Sequence, residues 1–264
     1  MSEPVFHISF YKFVALHDPH AVAARLRLLA ADLLGSVLVA EEGVNGVLAG
    51  SADGLDAFEH ALPEDLRFAG IAFKRSACRT PPFARLKVHV KPEIVSVGVP
   101  GGASPDTLVT PEAWRQLIAR DDVVVLDNRN SFEHRLGHFK NAVDPGVANF
   151  RDFPRFVEAH APQWKAEGKT VAMYCTGGIR CEKTSAWMQG LGLRVRELEG
   201  GILNYFQALP DAEREWQGEC FVFDNRIALD THLQETDTTL EQVYADEPDG
   251  EWRLQRARRL DAAT

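Results

Sequence analysis

The sequence predicts an α/β protein of two domains, and two observations carry the prediction. Residues 6–73 contain apolar runs and helical segments in the order β-α-β-β-α-β. Further along, Val123–Asp127 and residues 171–174 are continuous apolar runs, which are typical of central strands in a parallel sheet. The chain has 264 residues, which is enough for two hydrophobic cores.

The first domain is predicted over residues 1–95. Its strands are predicted at residues 6–11, 37–40, 47–49 and 71–73, and its helices at residues 18–34 and 54–62. Asp18 and Pro19 mark the start of the first helix, because Asp caps a helix N-terminus and Pro suits the first helical position. A hairpin-like connection is expected over residues 41–46. The element order is typical of a ferredoxin-like α+β sandwich, a fold that by itself defines no function.

A linker, a second domain and a C-terminal extension are predicted to follow. Gly, Pro and Ser are frequent after residue 95, which places the linker at residues 96–110. An α/β domain with a central parallel sheet is expected over residues 111–210. Residues 211–264 are expected to form an extension with a flexible end, partly packed onto the body through Trp216, Phe221 and Phe223.

Composition favours a cytoplasmic enzyme that has neither a membrane anchor nor a metal site. The chain contains 38 acids and 29 bases, for a net charge of −9. No apolar stretch approaches the ~20 residues needed to cross a bilayer, and the N-terminus shows no signal-peptide pattern. The four cysteines lack the Cys-x-x-Cys spacing of zinc sites and are typical of a reducing compartment. Nothing in the composition indicates an obligate protein partner.

A basic segment interrupts this acidic average. Residues 66–92 contain seven bases and no acid, so they form a candidate phosphate-contacting surface. The candidate RNA-binding residues are Lys74, Arg75, Arg79, Arg85, Lys87 and Lys91. A solvated basic face that balances the acidic C-terminal part is the equally weighted alternative.

The segment after the second apolar run has the features of a nucleophilic site. Cys175 follows a predicted strand, and residues 182–190 have helical composition. The N–H groups of such a loop and the positive end of the helix stabilise an anion, which lowers a thiol pKa. We therefore predict Cys175 and Arg180 as the catalytic residues. The rest of the predicted active-site loop is Thr176, Gly177, Gly178, Ile179 and Cys181.

The spacing within this loop resembles that of a known family. Four residues separate Cys175 from Arg180, one fewer than in the cysteine phosphatases, whose longer loop fits phosphate. The shorter loop is similar to that of the rhodanese family, which carries a sulfane sulfur on its cysteine. Three flanking motifs of residues 111–210 strengthen the resemblance, namely Asp127-x-Arg129 with Glu133, a Gly-His turn at His138, and the Gly-Gly turn at residues 198–201. Asp127, Arg129, Glu133 and His138 are expected to be structural.

A narrower resemblance covers the chain from the first strand to about residue 233. Residues 40–46, 82–88, 175–183 and 218–224 are similar, in that order, to motifs of the rhodanese-related tRNA uridine hydroxylases. The resemblance implies oxygen-dependent conversion of the wobble uridine to 5-hydroxyuridine, with the anticodon stem–loop of tRNA as partner. It also implies Cys175 as the active-site cysteine and molecular oxygen as co-substrate, and no other cofactor is identifiable. Many members end in a cysteine-rich tail, but this chain has no cysteine after Cys220, so no metal is expected there.

Three functions remain open from the sequence. The first is hydroxylation through attack of a Cys175 thiolate or persulfide on C6 of the base, which makes C5 able to react with oxygen. The second is a rhodanese-type sulfurtransferase that uses a cysteine persulfide. The third is a non-catalytic scaffold, although a scaffold needs neither Cys175 nor Arg180. The basic segment and the additional N-terminal domain favour the first.

Two further residue sets carry alternatives. Cys181 is either a resolving thiol for oxidised Cys175 or a small residue that forms a hydrogen bond within the first helical turn. Four aromatic residues with two interleaved arginines either stack on RNA bases or form a connector packed on the sheet. That set is Phe150, Phe153, Phe156 and Trp164, with Arg151 and Arg155.

Overall fold

The computed structural model describes residues 5–102 and 105–262, which form two compact units. The first unit contains residues 5–94, Asp224–Arg226 and residues 255–262. The second contains Val95–Phe223 and Ile227–Leu254. Within the described ranges, no helix combines the length and apolar character that crossing a bilayer requires.

The first unit is a five-stranded sheet with two helices. Its elements are β1 (Val5–Phe13), α1 (Pro19–Leu29), β2 (Leu34–Ala40), β3 (Gly43–Gly50), α2 (Ala52–Ala61), β4 (Phe73–Cys78) and β5 (Leu86–Val90). The strand order is β4-β1-β3-β2-β5, and only the β2–β5 pair is parallel. The first four strands and the two helices have the ferredoxin-like arrangement, so the predicted fold class of this domain is confirmed.

Local sequence explains how this unit is built. The Asp18 carboxylate accepts a hydrogen bond from the backbone N–H of Ala21 at 2.9 Å and caps α1, as predicted. Alternate residues of β1, such as Ile8 and Phe10, are buried against the helices. The ring of Phe10 packs against that of Phe58 on α2, with 5.4 Å between ring centroids.

Several predicted boundaries in this unit are wrong. The first helix ends at Leu29 rather than at residue 34, and the fourth strand begins at Phe73 rather than ending there. The predicted connection over residues 41–46 is a two-residue turn, and β3 already begins at Gly43. Gly46, predicted in the turn, lies within β3, where a Cβ would be 2.6 Å from the Phe10 ring, so this glycine makes room for that ring.

The fifth strand was missed altogether. Residues 86–90 alternate apolar and basic side chains, a period-2 signal that the charge of the segment obscured. β5 pairs in parallel with β2, with Val37 opposite Val88. The basic segment therefore contributes two strands, β4 and β5, to the sheet.

The second unit contains a four-stranded parallel sheet in the order β6-β10-β9-β7. Its strands are β6 (Leu108–Val109), β7 (Val123–Asp127), β8 (Gly137–Phe139), β9 (Thr170–Tyr174), β10 (Arg194–Leu198), β11 (Trp216–Gly218), β12 (Cys220–Phe221) and β13 (Ala228–Leu229). Its helices are α3 (Pro111–Leu117), α4 (Ser131–Leu136), α5 (Phe153–Ala166), α6 (Ile179–Gly190), α7 (Gly201–Ala208) and α8 (Leu240–Tyr244), and the chain continues into α9 (Gly250–Ala262). The predicted rhodanese-type architecture is confirmed.

Helices cover both faces of this parallel sheet. Val171 and Met173 of β9 belong to the hydrophobic core that includes residues of α5 and α6. Ala172 and Tyr174 of β9 belong to the opposite core, with residues of α3 and α7. Because both faces are buried, the strand is apolar over residues 171–174, as its sequence indicated.

The aromatic set after the His138 turn packs into the protein. Phe153 and Trp164 are buried on the inner face of α5, and Phe156 packs partly buried beside them. These rings therefore belong to a connector that packs on the sheet, which is the second alternative, and they do not form a base-stacking surface. Of the aromatic residues expected to pack the extension onto the body, Trp216 and Phe221 are buried. Phe223 packs edge-on against Phe221 and Phe132 but remains 59% exposed.

Candidate active site

Cys175 lies at the carboxyl end of the central strand β9, immediately before a tight loop. Its side chain is buried, and the backbone N–H of Gly178 donates a hydrogen bond to Sγ at 3.1 Å. Gly178 adopts a φ of 102°, a left-handed conformation that glycine reaches without strain. Helix α6 begins at Ile179, three residues earlier than predicted, so Arg180 and Cys181 lie in its first turn.

The loop holds Cys175 as an anion. Burial alone would raise the pKa of the thiol, but a hydrogen bond from Cys181 and the charge of Arg180 outweigh it. Backbone N–H groups at the start of α6 act in the same direction, and the pKa of Cys175 is lowered to about 6. Most of the Cys175 population is therefore thiolate near neutral pH, which is the nucleophilic form.

Cys181 supports this anion as a hydrogen-bond donor. Burial and the neighbouring Cys175 raise the pKa of Cys181 well above its ordinary value, so this thiol keeps its proton. The Asn128 side-chain amide donates to Cys181 Sγ at 3.7 Å and orients it. This geometry favours the hydrogen-bonding alternative for Cys181, and a resolving role stays a prediction.

Arg180 is anchored on one side and flanked by rings on the other. Its guanidinium forms an ion pair of 2.9 Å with Glu133, whose side chain is fully buried. The guanidinium carbon lies 5.6 Å from the ring centroid of Phe150 and 5.4 Å from that of Phe223. Glu133 in turn accepts a hydrogen bond from the backbone N–H of Asn130 at the start of α4. These contacts hold Arg180 in one position, from which its positive charge stabilises the Cys175 thiolate.

The start of α7 holds the loop from behind. The backbone N–H of Ile202 donates to the carbonyl of Cys175 at 2.9 Å, and that of Leu203 donates to the carbonyl of Thr176 at 3.2 Å. Gly201 has a φ of 70°, and a Cβ there would lie 2.4 Å from the Cys175 carbonyl oxygen. The Gly-Gly turn is therefore needed because the α7 backbone approaches the loop too closely for any side chain.

The residues expected to be structural bind one another beneath the site. Arg129 and Asp127 form a fully buried ion pair of 2.7 Å. The same Asp127 carboxylate accepts hydrogen bonds from Tyr174 at 2.8 Å and from the His134 ring at 3.0 Å. The His138 ring stacks on His134, with 3.9 Å between ring centroids. This network joins β7, α4, β8 and β9 into the frame on which the loop rests.

One titratable group near the site was missed from the sequence. Glu197 of β10 is buried, and the Thr107 hydroxyl donates a hydrogen bond to it. Burial, together with the charges of Glu182 and Cys175, raises the pKa of this carboxyl to about 7 despite that bond. A signal existed, because Glu197 occupies an inward position two residues after buried Val195.

The six candidate RNA-binding residues do not form one continuous edge. β4 and β5 are the two opposite edges of the first unit's sheet. Lys74 and Lys87 share the sheet face opposite the helices, because the register row runs Lys74, Ser9, Val47, Ser36, Lys87. Arg79, Arg85 and Lys91 are exposed at positions flanking these strands.

Arg75 alone lies on the helix-covered face. It stands opposite Ile8 in the register, and its guanidinium forms ion pairs with Asp56 at 2.7 Å and Glu59 at 3.2 Å. Its charge is therefore balanced within the unit. The RNA-binding role of all six residues stays a prediction.

Among the residues that the structure describes, no group of three or more His, Cys, Asp or Glu side chains is placed to hold a metal ion. The described cysteines are all free thiols, and Cys220 is buried with a pKa raised to about 12 by burial. Cys175 is thus the thiol with both a stabilised anion and a place at the end of a parallel strand.

A parallel α/β domain that holds a cysteine thiolate in a four-residue loop before an arginine defines a rhodanese-like protein. The profile of the rhodanese-like domain matches residues 110–208, and that of the UPF0176 acylphosphatase like domain matches residues 5–94. A solved rhodanese-related protein from Thermoplasma volcanium is 22% identical, with a TM-score of 0.29, over 38% of this chain and 90% of its own.

Relatives that match most of the chain narrow this class. A tRNA uridine(34) hydroxylase of Synechococcus elongatus is 49% identical over 234 residues, which cover 86% of each chain. One of Legionella pneumophila is 41% identical over 242 residues, which cover 89% of this chain and 94% of the relative. The chain belongs to the tRNA uridine(34) hydroxylase family.

Proposed function

We propose that this protein is an oxidoreductase that hydroxylates uridine 34 of tRNA to 5-hydroxyuridine, with dioxygen as co-substrate and Cys175 as nucleophile. Membership of the family supports the substrate. The observation that carries the chemistry is the pKa of Cys175, lowered to about 6 by a buried set of donors. A buried thiolate held by hydrogen-bond donors is placed to add to an electrophilic carbon.

The proposed reaction begins at C6 of uracil, which is electrophilic because it is conjugated to the C4 carbonyl. The Cys175 thiolate forms the S–C6 bond, and the C5–C6 π electrons move into an enolate spanning C5, C4 and O4. C5 then bonds to dioxygen, and the terminal oxygen takes a proton. Loss of the C5 proton and of the thiolate restores the C5–C6 double bond and frees Cys175.

The product of those steps is a 5-hydroperoxide, which two equivalents of a thiol reduce to the 5-hydroxyl. That step breaks the O–O bond and yields one water and one disulfide, so the electrons balance. The protein's own groups hold the attacking sulfur and the target base. The N–H of Gly178 and the thiol of Cys181 hold the attacking sulfur, and Arg180 stabilises charge that develops on the base.

The target base has to leave its stack to reach a cysteine at the bottom of a loop. Unstacking costs least in a single-stranded loop, which favours the anticodon stem–loop as the bound element. We propose the cytoplasm as the location, because tRNA and a reducing thiol pool occur there together.

The test is quantification of 5-hydroxyuridine and its derivatives by mass spectrometry of tRNA from cells that lack the gene. Complementation with wild type is expected to restore the nucleoside, and complementation with Cys175→Ser is not. Cys220→Ser is the matched control, because that thiol is also buried but has a raised pKa. Labelled dioxygen should place one labelled atom in each product.

An unchanged nucleoside level, in cells with no other route to it, would remove the hydroxylase proposal. Transfer of sulfur from thiosulfate to a thiol acceptor by wild type but not by Cys175→Ser would then support the sulfurtransferase alternative.

A further inference from the structure

Phe223 combines solvent exposure with a firmly held ring. It is 59% exposed, although it follows buried Phe221 and Val222. Its ring meets that of Phe221 edge-on at 4.9 Å between centroids and that of Phe132 at 6.5 Å. Such contacts set the ring orientation while leaving much of the ring surface open to solvent. A preorganised open aromatic surface is suited to stacking on a planar ligand.

The position of this ring relates it to the reacting cysteine. The Arg180 guanidinium lies 5.4 Å from the Phe223 ring centroid and 5.6 Å from that of Phe150. The same Arg180 charge stabilises the Cys175 thiolate. Phe223 therefore lies at the open side of the active-site cation, whereas Phe150 is buried on it.

We propose that Phe223 is a substrate-binding residue that stacks on the unstacked base of the target nucleotide and presents it to Cys175. This inference rests on the proposed function for the identity of the target. A base outside its helix exposes two aromatic faces, and an aromatic side chain replaces the stacking that the base has lost. Base–aromatic stacking contributes about 5- to 150-fold to affinity per base, and the neighbouring guanidinium adds cation–π attraction.

A binding cycle isolates this contact. The protein carries Cys175→Ser so that no turnover occurs, and the ligand is an anticodon stem–loop RNA with either uridine or an abasic site at position 34. Phe223→Ala is expected to weaken binding of the uridine RNA by about 5- to 150-fold and to leave binding of the abasic RNA unchanged. Equal losses with both RNAs would overturn the proposal.

Two further variants separate stacking from packing. Phe223→Tyr keeps the aromatic face and is expected to bind as the parent does. Phe223→Leu keeps an apolar side chain against Phe221 but is expected to lose affinity as Phe223→Ala does. Retained affinity in Phe223→Leu would show that the ring is not used for stacking. Trp252→Ala, which removes an exposed aromatic ring on α9, is the control and is expected to bind normally.

The same Phe223 variants, made in protein that keeps Cys175 and so can react, distinguish this inference from the proposed function. If the binding cycle gives the expected pattern but wild type forms no 5-hydroxyuridine, the stacking role stands and the hydroxylase proposal fails. If wild type forms 5-hydroxyuridine and Phe223→Ala does so with unchanged KM and kcat, the stacking role fails and the hydroxylase proposal stands.

Discussion

Replacing Cys181 with alanine should raise the pKa of Cys175, because the Cys181 thiol donates a hydrogen bond to the Cys175 thiolate. Hydrogen bonds to charged groups contribute about 1.5–3 kcal/mol, and one pKa unit corresponds to about 1.4 kcal/mol. We therefore expect Cys181→Ala to move the Cys175 pKa from about 6 to the range of ~7–8. The thiolate fraction at neutral pH would fall from ~0.9 to between ~0.5 and ~0.1.

The assay is the ultraviolet absorbance of thiolate followed across pH, from which the curve of Cys175→Ser is subtracted. Absorbance is preferable to alkylation because Cys175 is buried and a reagent would report access as well as ionisation. The initial rate of tRNA hydroxylation at neutral pH should fall in proportion to the thiolate fraction.

Cys181→Ser is the matched control, because its hydroxyl keeps a donor at the same position. We expect its titration to stay near that of wild type. A midpoint that remains at about 6 in Cys181→Ala would show that the loop N–H groups and Arg180 alone stabilise the anion. The thermal midpoint of each variant, measured in parallel, confirms that the titrated protein is folded.

Three other predictions concern stability and RNA affinity. Because the folded-state pKa of Glu197 is about 7, above its ordinary value, folded protein retains this proton as pH rises from about 4.5 to 7 and loses stability across that window. In urea unfolding, the free energy of unfolding of Glu197→Gln should therefore rise by up to about 3 kcal/mol relative to that of wild type between pH 4.5 and 8. A difference between the two proteins that does not change with pH would contradict this prediction. Gly201→Ala should lower stability by more than ~2 kcal/mol and abolish activity, because its Cβ meets the loop backbone. The free energy of unfolding of Gly177→Ala should stay within ~1 kcal/mol of the wild-type value, since a Cβ there meets nothing within 4 Å. Equal losses of stability in Gly201→Ala and Gly177→Ala would refute the argument. In salt titrations of RNA binding, Lys91→Ala should reduce the slope of log affinity against log salt concentration by about one. Arg75→Ala should not change that slope, because Arg75 is already ion-paired with acids of α2.

The loop that holds Cys175 and Arg180 could be predicted almost completely because its features are local. A strand, a short glycine loop, an arginine and a helix follow one another within a few residues, and their order places N–H groups around Cys175. Only the start of α6 was misplaced. The ferredoxin-like order was predictable for a similar reason, since each strand and helix carries its own apolar period.

The environment of Arg180 shows what such reasoning could not reach. This side chain contacts residues that are distant in sequence. Glu133 precedes it by 47 residues, Phe150 also lies before it, and Phe223 lies after it. Nothing in the local pattern around Phe223 says that its ring is exposed, because exposure depends on what packs above it. Phe223 packs on Phe221 and Phe132 as expected, but its 59% exposure could not be predicted from the sequence.

The two-domain α/β architecture and the placing of Cys175 and Arg180 in one loop followed from the amino-acid order, because period, glycine placement and residue order act over a few residues. Strand pairing and helix packing decided the raised pKa of Glu197, the ion pair between Arg180 and Glu133, and the division of the basic segment between opposite sheet edges. Burial and charge pairing depend on residues that only strand pairing and helix packing bring together. The same basic residues that are neighbours in sequence are separated in space because β4 and β5 flank three intervening strands.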